Sequence, residues 1–344
     1  MIQLGDLQIL PPPSTVPELV EDFLEALGQP TLFRIPGRDR SRCRALCTLL
    51  HGNEPSGVMA VHRWLRERET PAVDLLIFIG AVRTALQPPL FFYRQLPGRL
   101  DLNRCFRAPF LDQEGQVAAS FLRELEDAQP ECLIDIHNTS GSGPAFCISI
   151  HDDSPHRALA ALFSDQFVIN HLRMGALMEY SEREVPTITV ECGGARDEHA
   201  HQLAYEGLKR YVSRDDVLSP ATPDAQVQVL KHPVRVEVVQ DARVAFDSMP
   251  VPDYDLTLPP DIERFNFDVL TEDRPVGWLG PRGLDIFRIE GENQNLAPGL
   301  LRQVDGKLYP AQPMRAFMIT TNPVIAKSDC LFYVVKPDGR SFMS

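Results

Sequence analysis

Between Thr31 and about Arg214 the sequence alternates short apolar runs with longer segments whose apolar residues recur at helical spacing, and few architectures accept that alternation. An apolar run of five to seven residues followed by an amphipathic segment is the unit of an α/β layer structure, in which helices cover both faces of buried strands. Strands are expected at Ala45–Leu50, Val73–Ile79, Cys132–Ile136, Phe146–Ile150, Phe167–Leu172 and Thr187–Glu191. Helices are expected at Pro55–Arg68, Gln116–Ala128, Pro155–Phe163 and Asp197–Val212. In the first of these, Val58, Val61, Trp64 and Leu65 form a core-facing stripe, and Pro55 suits a first turn, where a backbone N–H has no helical acceptor.

After Leu218 the texture changes. The breaker cluster Ser219–Asp224 reads as a linker, and beyond it the alternating runs Val234–Val239, Arg243–Phe246, Asp255–Leu258 and Ala316–Thr321 are separated by Pro and Gly. The division expected is a catalytic α/β domain over residues 1–218 and a smaller β-rich domain over 219–344.

A net charge of −13 and the absence of any Lys/Arg block exclude a nucleic-acid groove, which needs a basic surface. Arginines nevertheless gather locally at Arg94, Arg99, Arg104 and Arg107, enough to receive a small anion. Seven scattered cysteines, an odd number mostly embedded in apolar runs, suit reduced thiols. No stretch reaches the ~20 apolar residues of a membrane helix, and Met1–Pro13 lacks a signal-peptide pattern. A soluble cytoplasmic protein with no nucleic-acid or membrane partner is therefore expected.

Three strand ends carry the chemistry. His51-Gly52-Asn53-Glu54 lies where the first strand gives way to the Pro55 helix, so an imidazole and a carboxylate from one tight loop can enter one crevice at the carboxyl edge of a sheet. Catalytic zinc commonly takes two histidines and a glutamate, and His137, just after the strand Cys132–Ile136, supplies the third donor. Asp135, two residues earlier, can hold the far nitrogen of that imidazole. Glu191 ends a third apolar strand before Cys192-Gly193-Gly194, and partial burial there should raise its pKa toward acid/base work. In Gly98–Arg104, Arg104 with Asn103 can grip a carboxylate, while Arg99 and Arg94 compete to steady a developing oxyanion. The other histidines read as ordinary surface or core residues.

The blocks His51-Gly52-Asn53-Glu54, Asp101-Leu102-Asn103-Arg104-Cys105-Phe106, Asp135-Ile136-His137-Asn138-Thr139 and Thr189-Val190-Glu191 occur in the order and spacing of a known family. The chain resembles the aspartoacylase and succinylglutamate desuccinylase branch of the zinc carboxypeptidase superfamily, over roughly Ala45 to Gly194. That resemblance implies a mixed eight-stranded sheet flanked by helices, a β-rich C-terminal domain narrowing the entrance, and one zinc on His51, Glu54 and His137. It further implies Glu191 as general base and acid, and Asn103 and Arg104, with Asn138, at the substrate. The segment Asn138-Thr139-Ser140 is more similar to aspartoacylases than to desuccinylases. Two family arginines have no counterpart at their usual spacing: one falls on Leu96, leaving Arg99 or Arg94 to substitute, and for the other the nearest candidates are Arg183 and Arg173. The family's C-terminal tyrosine has no match.

The expected activity is hydrolysis of the amide of a small anionic N-acyl amino acid. A carboxypeptidase-like peptidase and a metal-binding homologue without turnover are the alternatives. A homodimer is compatible with this reading, and the sequence leaves oligomeric state, acyl group and amino acid open.

Overall fold

The computed structural model describes residues 7–139, 141–220, 227–289, 297–328 and 330–342. Two compact units divide them, the first comprising residues up to Asn138 plus Ala145–Gln228, the second Thr139–Pro144 plus the chain from Val229 onward. The expected boundary at 218 differs in two ways: the first unit continues to Gln228, and the second also takes a short stretch just after His137. Most of the Ser219–Asp224 linker, and Ser140, lie outside the described residues.

The first unit runs β1 (Gln8–Leu10), α1 (Val20–Leu27), β2 (Thr31–Ile35), β3 (Asp39–Thr48), α2 (Ser56–Glu67), β4 (Val73–Ile79) and α3 (Val82–Ala85). It continues with a 3-10 turn at Leu102–Arg104, α4 (Gln113–Ala128), β5 (Leu133–Thr139), β6 (Phe146–Ser149), α5 (Ser154–Ala160) and β7 (Gln166–Ile169). A second 3-10 segment, Leu177–Arg183, precedes β8 (Thr187–Gly194) and α6 (Glu198–Ser213). These eight strands hydrogen-bond in the order β1-β2-β4-β3-β5-β8-β6-β7. Parallel pairs β1/β2, β3/β4, β3/β5 and β6/β7 combine with antiparallel β2/β4 and β6/β8, so the sheet is mixed, as expected.

Every expected strand and helix in this region is present, with ends displaced by a few residues. Val58, Val61, Trp64 and Leu65 are buried, and α2 packs on α6. Pro55 occupies the N-cap, one position before the first helical residue, and caps nothing with its side chain. The missing cap comes from another element: Asn138, near the end of β5, accepts from the Ser56 N–H through Oδ1 at 3.0 Å. At the next position Gly57 lets α2 begin directly against the sheet, since a Cβ there would stand 2.0 Å from Thr48 Oγ1 on β3 and 2.9 Å from Ile136 Cβ on β5.

One strand carries an unexpected charge. Arg44 on β3 is fully buried, donating to Glu131 at 2.6 Å and to the backbone oxygens of Tyr211, Arg214 and Asp215 at 2.7 to 2.8 Å. It thereby satisfies carbonyls left open where α6 ends.

The second unit is built of two five-stranded sheets. One is ordered Val269–Leu270, Met314–Phe317, Phe332–Val335, Val234–Val238, Phe287–Arg288, and the other Val244–Phe246, Leu256–Leu258, Gly277–Leu279, Lys307–Pro310, Leu301–Val304. Its core includes Val236, Leu256, Leu258, Ile286, Leu308, Ala316 and Val334. Within it, Glu263 accepts from the N–H and hydroxyl of both Ser142 and Thr321.

Candidate active site

β3 and β5 are parallel neighbours in register, with Cys47 opposite Asp135 and Thr48 opposite Ile136. Their carboxyl ends therefore arrive together, and His51 and His137 follow from that. Both imidazoles are buried, and their ring centres lie 4.9 Å apart. Between them stands the buried carboxylate of Glu54, its Oε1 2.8 Å from His51 Nδ1 and its Oε2 2.7 Å from His137 Nδ1. One donor atom from each of the three lies within 4.8 Å of the others. Sequence separation of 83 residues between Glu54 and His137 is closed by strand pairing and by the α2 start, not by local turn geometry.

The outer nitrogens of both rings are also held. His137 Nε2 is 2.7 Å from Asp135 Oδ2, and His51 Nε2 is 3.0 Å from Asp101 Oδ1. A carboxylate on the far nitrogen fixes the proton there and leaves the inner nitrogen's lone pair for a cation. The expected support by Asp135 follows from strand alternation, which puts residues 135 and 137 on one face. Sequence reasoning missed Asp101, which entered only as the first residue of the Asp101–Phe106 block. The available signal was its position at the N-cap of the 3-10 turn, where it accepts from Asn103 N–H at 2.8 Å.

Burial works against the Glu54 carboxylate, yet the two imidazoles hold it well below the usual range. Burial likewise opposes charge on His137, but Asp135 and Glu54 on its two sides raise its pKa well above the ordinary value. Asp101 is half-buried, and His51 and Arg94 more than offset the cost of that, holding it below the carboxylate range. Such a core of two imidazoles and a carboxylate, in which each ring is backed by a further carboxylate, has the donor set of a metal site.

Glu191 stands on β8 opposite Phe146 of β6. Burial pushes its carboxyl up to about 8, and its Oε2 has no hydrogen-bond partner among the described residues. An acceptor kept dry and unpaired costs stability, which is the condition expected of a group reserved for a reactant. Beside it, Asn138 donates to Gly193 O at 2.9 Å and to Ser56 Oγ at 2.7 Å, and Ser56 Oγ lies 2.7 Å from His201 Nδ1. Asn138 thus ties β5, β8 and α2 together next to Glu54 and His137.

The arginines sort unequally. Arg94 reaches the cluster, donating to Asp101 Oδ2 through Nε at 3.2 Å and Nη2 at 3.0 Å, with Nη1 3.5 Å from Glu54 Oε1. Arg99, expected as a catalytic group, is turned instead to Glu114, 2.8 Å away, and Gln113 at the start of α4. Arg183, expected at the substrate, is half-exposed, pairs with Glu126 and stacks over Tyr180. Arg173 pairs with Glu182. The choice between Arg94 and Arg99 turns on the path of the Arg94–Asp101 loop, which residue spacing does not encode. Arg104 is half-buried, donates to Asn103 O at 2.9 Å and adds to the positive field on Asp101. Asn103 is buried with its carboxamide oxygen taken by the Leu177 N–H at 2.9 Å, which sets the orientation of its amide.

Residues 44–212 match the model of the succinylglutamate desuccinylase/aspartoacylase catalytic domain, a span that includes His51, Glu54, Asp101, His137 and Glu191. Residues 44–212 are a catalytic domain of the succinylglutamate desuccinylase/aspartoacylase family. The fold of the chain is similar to that of the succinylglutamate desuccinylase/aspartoacylase of Rhodobacter sphaeroides, with 14% identity, 89% of this chain and 87% of that one covered, and a TM-score of 0.56. It is similar as well to the succinylglutamate desuccinylase of Chromobacterium violaceum, with 15% identity, coverage of 87% and 86%, and a TM-score of 0.53. A third is the ectoine utilization protein of Ruegeria pomeroyi, solved with product bound, with 14% identity, coverage of 89% and 87%, and a TM-score of 0.55. No curated protein matches. No helix among the described residues is long and apolar enough to cross a membrane.

Proposed function

We propose that this chain is a zinc-dependent amidohydrolase that cleaves the amide bond of a small anionic N-acyl amino acid. The observation that carries the reading is the convergence of His51, Glu54 and His137, with each imidazole backed by its own carboxylate. Family membership supports the reaction class. In this reading the first unit is the hydrolase domain and the second the β-rich C-terminal domain.

His51, Glu54 and His137 would hold the ion, which when bound supplies Lewis acidity toward the amide carbonyl and makes water a nucleophile near neutral pH. Glu191 accepts a proton as water adds to the carbonyl carbon. It then returns that proton to the amide nitrogen as the C–N bond breaks, so its charge is restored each cycle. The buried position that raises its pKa keeps both halves of this exchange within reach near pH 7. Arg104 and Asn103 orient the substrate carboxylate, and Asn138 holds the strand ends that present ligands and base. Arg94, rather than Arg99, is the guanidinium beside the reacting carbonyl, and Arg183 has no part in the reaction.

Metal analysis of the purified protein together with a release assay on a panel of N-acyl amino acids tests the reading. Zinc near one equivalent and release from at least one substrate are expected. Glu191→Gln should keep the metal and lower kcat by roughly 10²–10⁴-fold. Wild-type turnover in that variant removes Glu191 from the mechanism, and a metal-bearing protein inert to the whole panel leaves a binding protein.

A further inference from the structure

Next to the ligand cluster the first unit contains a cavity of about 280 Å³. Leu50, Leu96, Leu102 and Val117 contribute to an apolar lining, and Arg94 and Arg99 are among the polar residues at its wall. The charged residues lining it are Arg83, Arg94, Arg99 and a single carboxylate, Glu114, which pairs with Arg99, while Arg94 pairs with Asp101 behind the wall; two more positive than negative side chains line the cavity in a chain whose net charge is −13. Arg94 and Arg99 belong to the local gathering of arginine visible in the sequence, and of the three cavity arginines the proposed mechanism employs only Arg94. An apolar chamber with a locally positive wall suits a molecule with a hydrocarbon body and one anionic end. A cavity of ~150 Å³ is large enough for benzene, so this one admits a ring or chain of about six to eight carbons.

We propose that this cavity binds a small organic carboxylate, its hydrocarbon body against Leu50, Leu96, Leu102 and Val117 and its carboxylate at the arginine wall. The site is coupled to the ligand cluster through shared residues. Leu50 precedes His51, Leu102 follows Asp101, and Arg94, which lines the cavity, bonds Asp101 and approaches Glu54 through its guanidinium. An occupant that draws Arg94 toward itself loosens its hold on Asp101, and through Asp101 on His51. Two sources offer such a ligand. One is the acyl portion of the substrate, released as a carboxylic acid if the hydrolase reading holds; the other is an independent effector acid.

Calorimetric titration of the full-length protein with acetate, butanoate, hexanoate and hexanol tests the site without recourse to turnover. Each added methylene should tighten binding by roughly fourfold if it enters the cavity, so hexanoate should exceed acetate by at least about tenfold. Hexanol, lacking the charge, should bind more weakly than hexanoate. Carboxylates that merely coordinate a metal share one headgroup and would show no dependence on chain length. Leu96→Trp and Thr84→Trp fill the cavity from two lining positions, both only partly buried, and each should weaken hexanoate by about tenfold or more while acetate is unaffected. Equal binding of acetate and hexanoate overturns the proposal, as does undiminished hexanoate binding in both folded variants. Given turnover, competitive inhibition by hexanoate assigns the cavity to the acyl group, and noncompetitive inhibition assigns it to an effector. Because the titration stands apart from catalysis, a failed release assay and an empty cavity are separate results.

Discussion

Replacing Asp101 by Asn tests whether the carboxylate behind His51 sets metal affinity. The side chain is nearly isosteric, so the change isolates charge and donor pattern. In the wild-type protein Oδ1 lies 3.0 Å from His51 Nε2 and accepts from Asn103 N, while Oδ2 accepts two bonds from Arg94. Asparagine has one oxygen for these two sides. With that oxygen toward His51, its NH₂ confronts the Arg94 guanidinium and two charge-assisted bonds are lost. With the amide reversed, its NH₂ confronts Nε2, favouring the tautomer that carries its proton on the inner Nδ1, where a cation must bind. Either orientation weakens the site, and loss of such an outer partner typically lowers metal affinity 10–100-fold, about 1.4–2.7 kcal/mol. Competition against a chromogenic chelator measures this directly, with the melting temperature of the metal-free variant as a check on folding. Affinity within about threefold of wild type would refute the assignment of Asp101 as the residue that orients His51.

Two further outcomes concern the scaffold. Arg44→Met strands three backbone oxygens at a buried site, while Glu131 keeps its bonds from Arg42, and should cost about 1–3 kcal/mol in urea denaturation; a loss below about 0.5 kcal/mol contradicts the role given to that guanidinium. His156 is buried between Asp153, 2.6 Å from Nδ1, and Ser181, 2.5 Å from Nε2, with His151 adjacent and Asp152 nearby. Burial lowers its pKa despite Asp153, so the folded protein resists a proton that the unfolded chain accepts. The stability this contributes is present above about pH 6.5 and is lost as pH falls through the lower folded value. His156→Gln should therefore flatten the fall in melting temperature between pH 7 and pH 5, and an unchanged profile would show that another group governs it.

Much of this architecture is legible in the residues because the strands near the site are short apolar runs that stop at polar ones. β4 coincides with Val73–Ile79, and β5 and β8 begin within a residue of expectation. β3 is less visible, because its first half, Asp39–Arg44, is polar and its one fully buried guanidinium looks like a surface residue in one dimension. α1 begins after Leu19 with no side-chain cap, and follows a proline-rich stretch, so it offers no start signal. Within the site, the convergence of His51, Glu54 and His137 and the place of Glu191 follow from residue type and strand ends. Asp101, and the division of labour between Arg94 and Arg99, do not, since they depend on how a loop of little regular structure folds back over the ligands.

The bare backbone at Gly57 has a consequence for how this protein tolerates change. The gap between the first turn of α2 and strands β3 and β5 is narrower than a methyl group requires, so even alanine must lever the helix outward. Glu54 sits three residues upstream on the same lead-in and would travel with it, while His137 stays with its strand. Position 57 is thus a gauge of the spacing between Glu54 and His137, neither of which it touches, and under the proposed function a crowded side chain there would register as lost metal before it registered as lost fold.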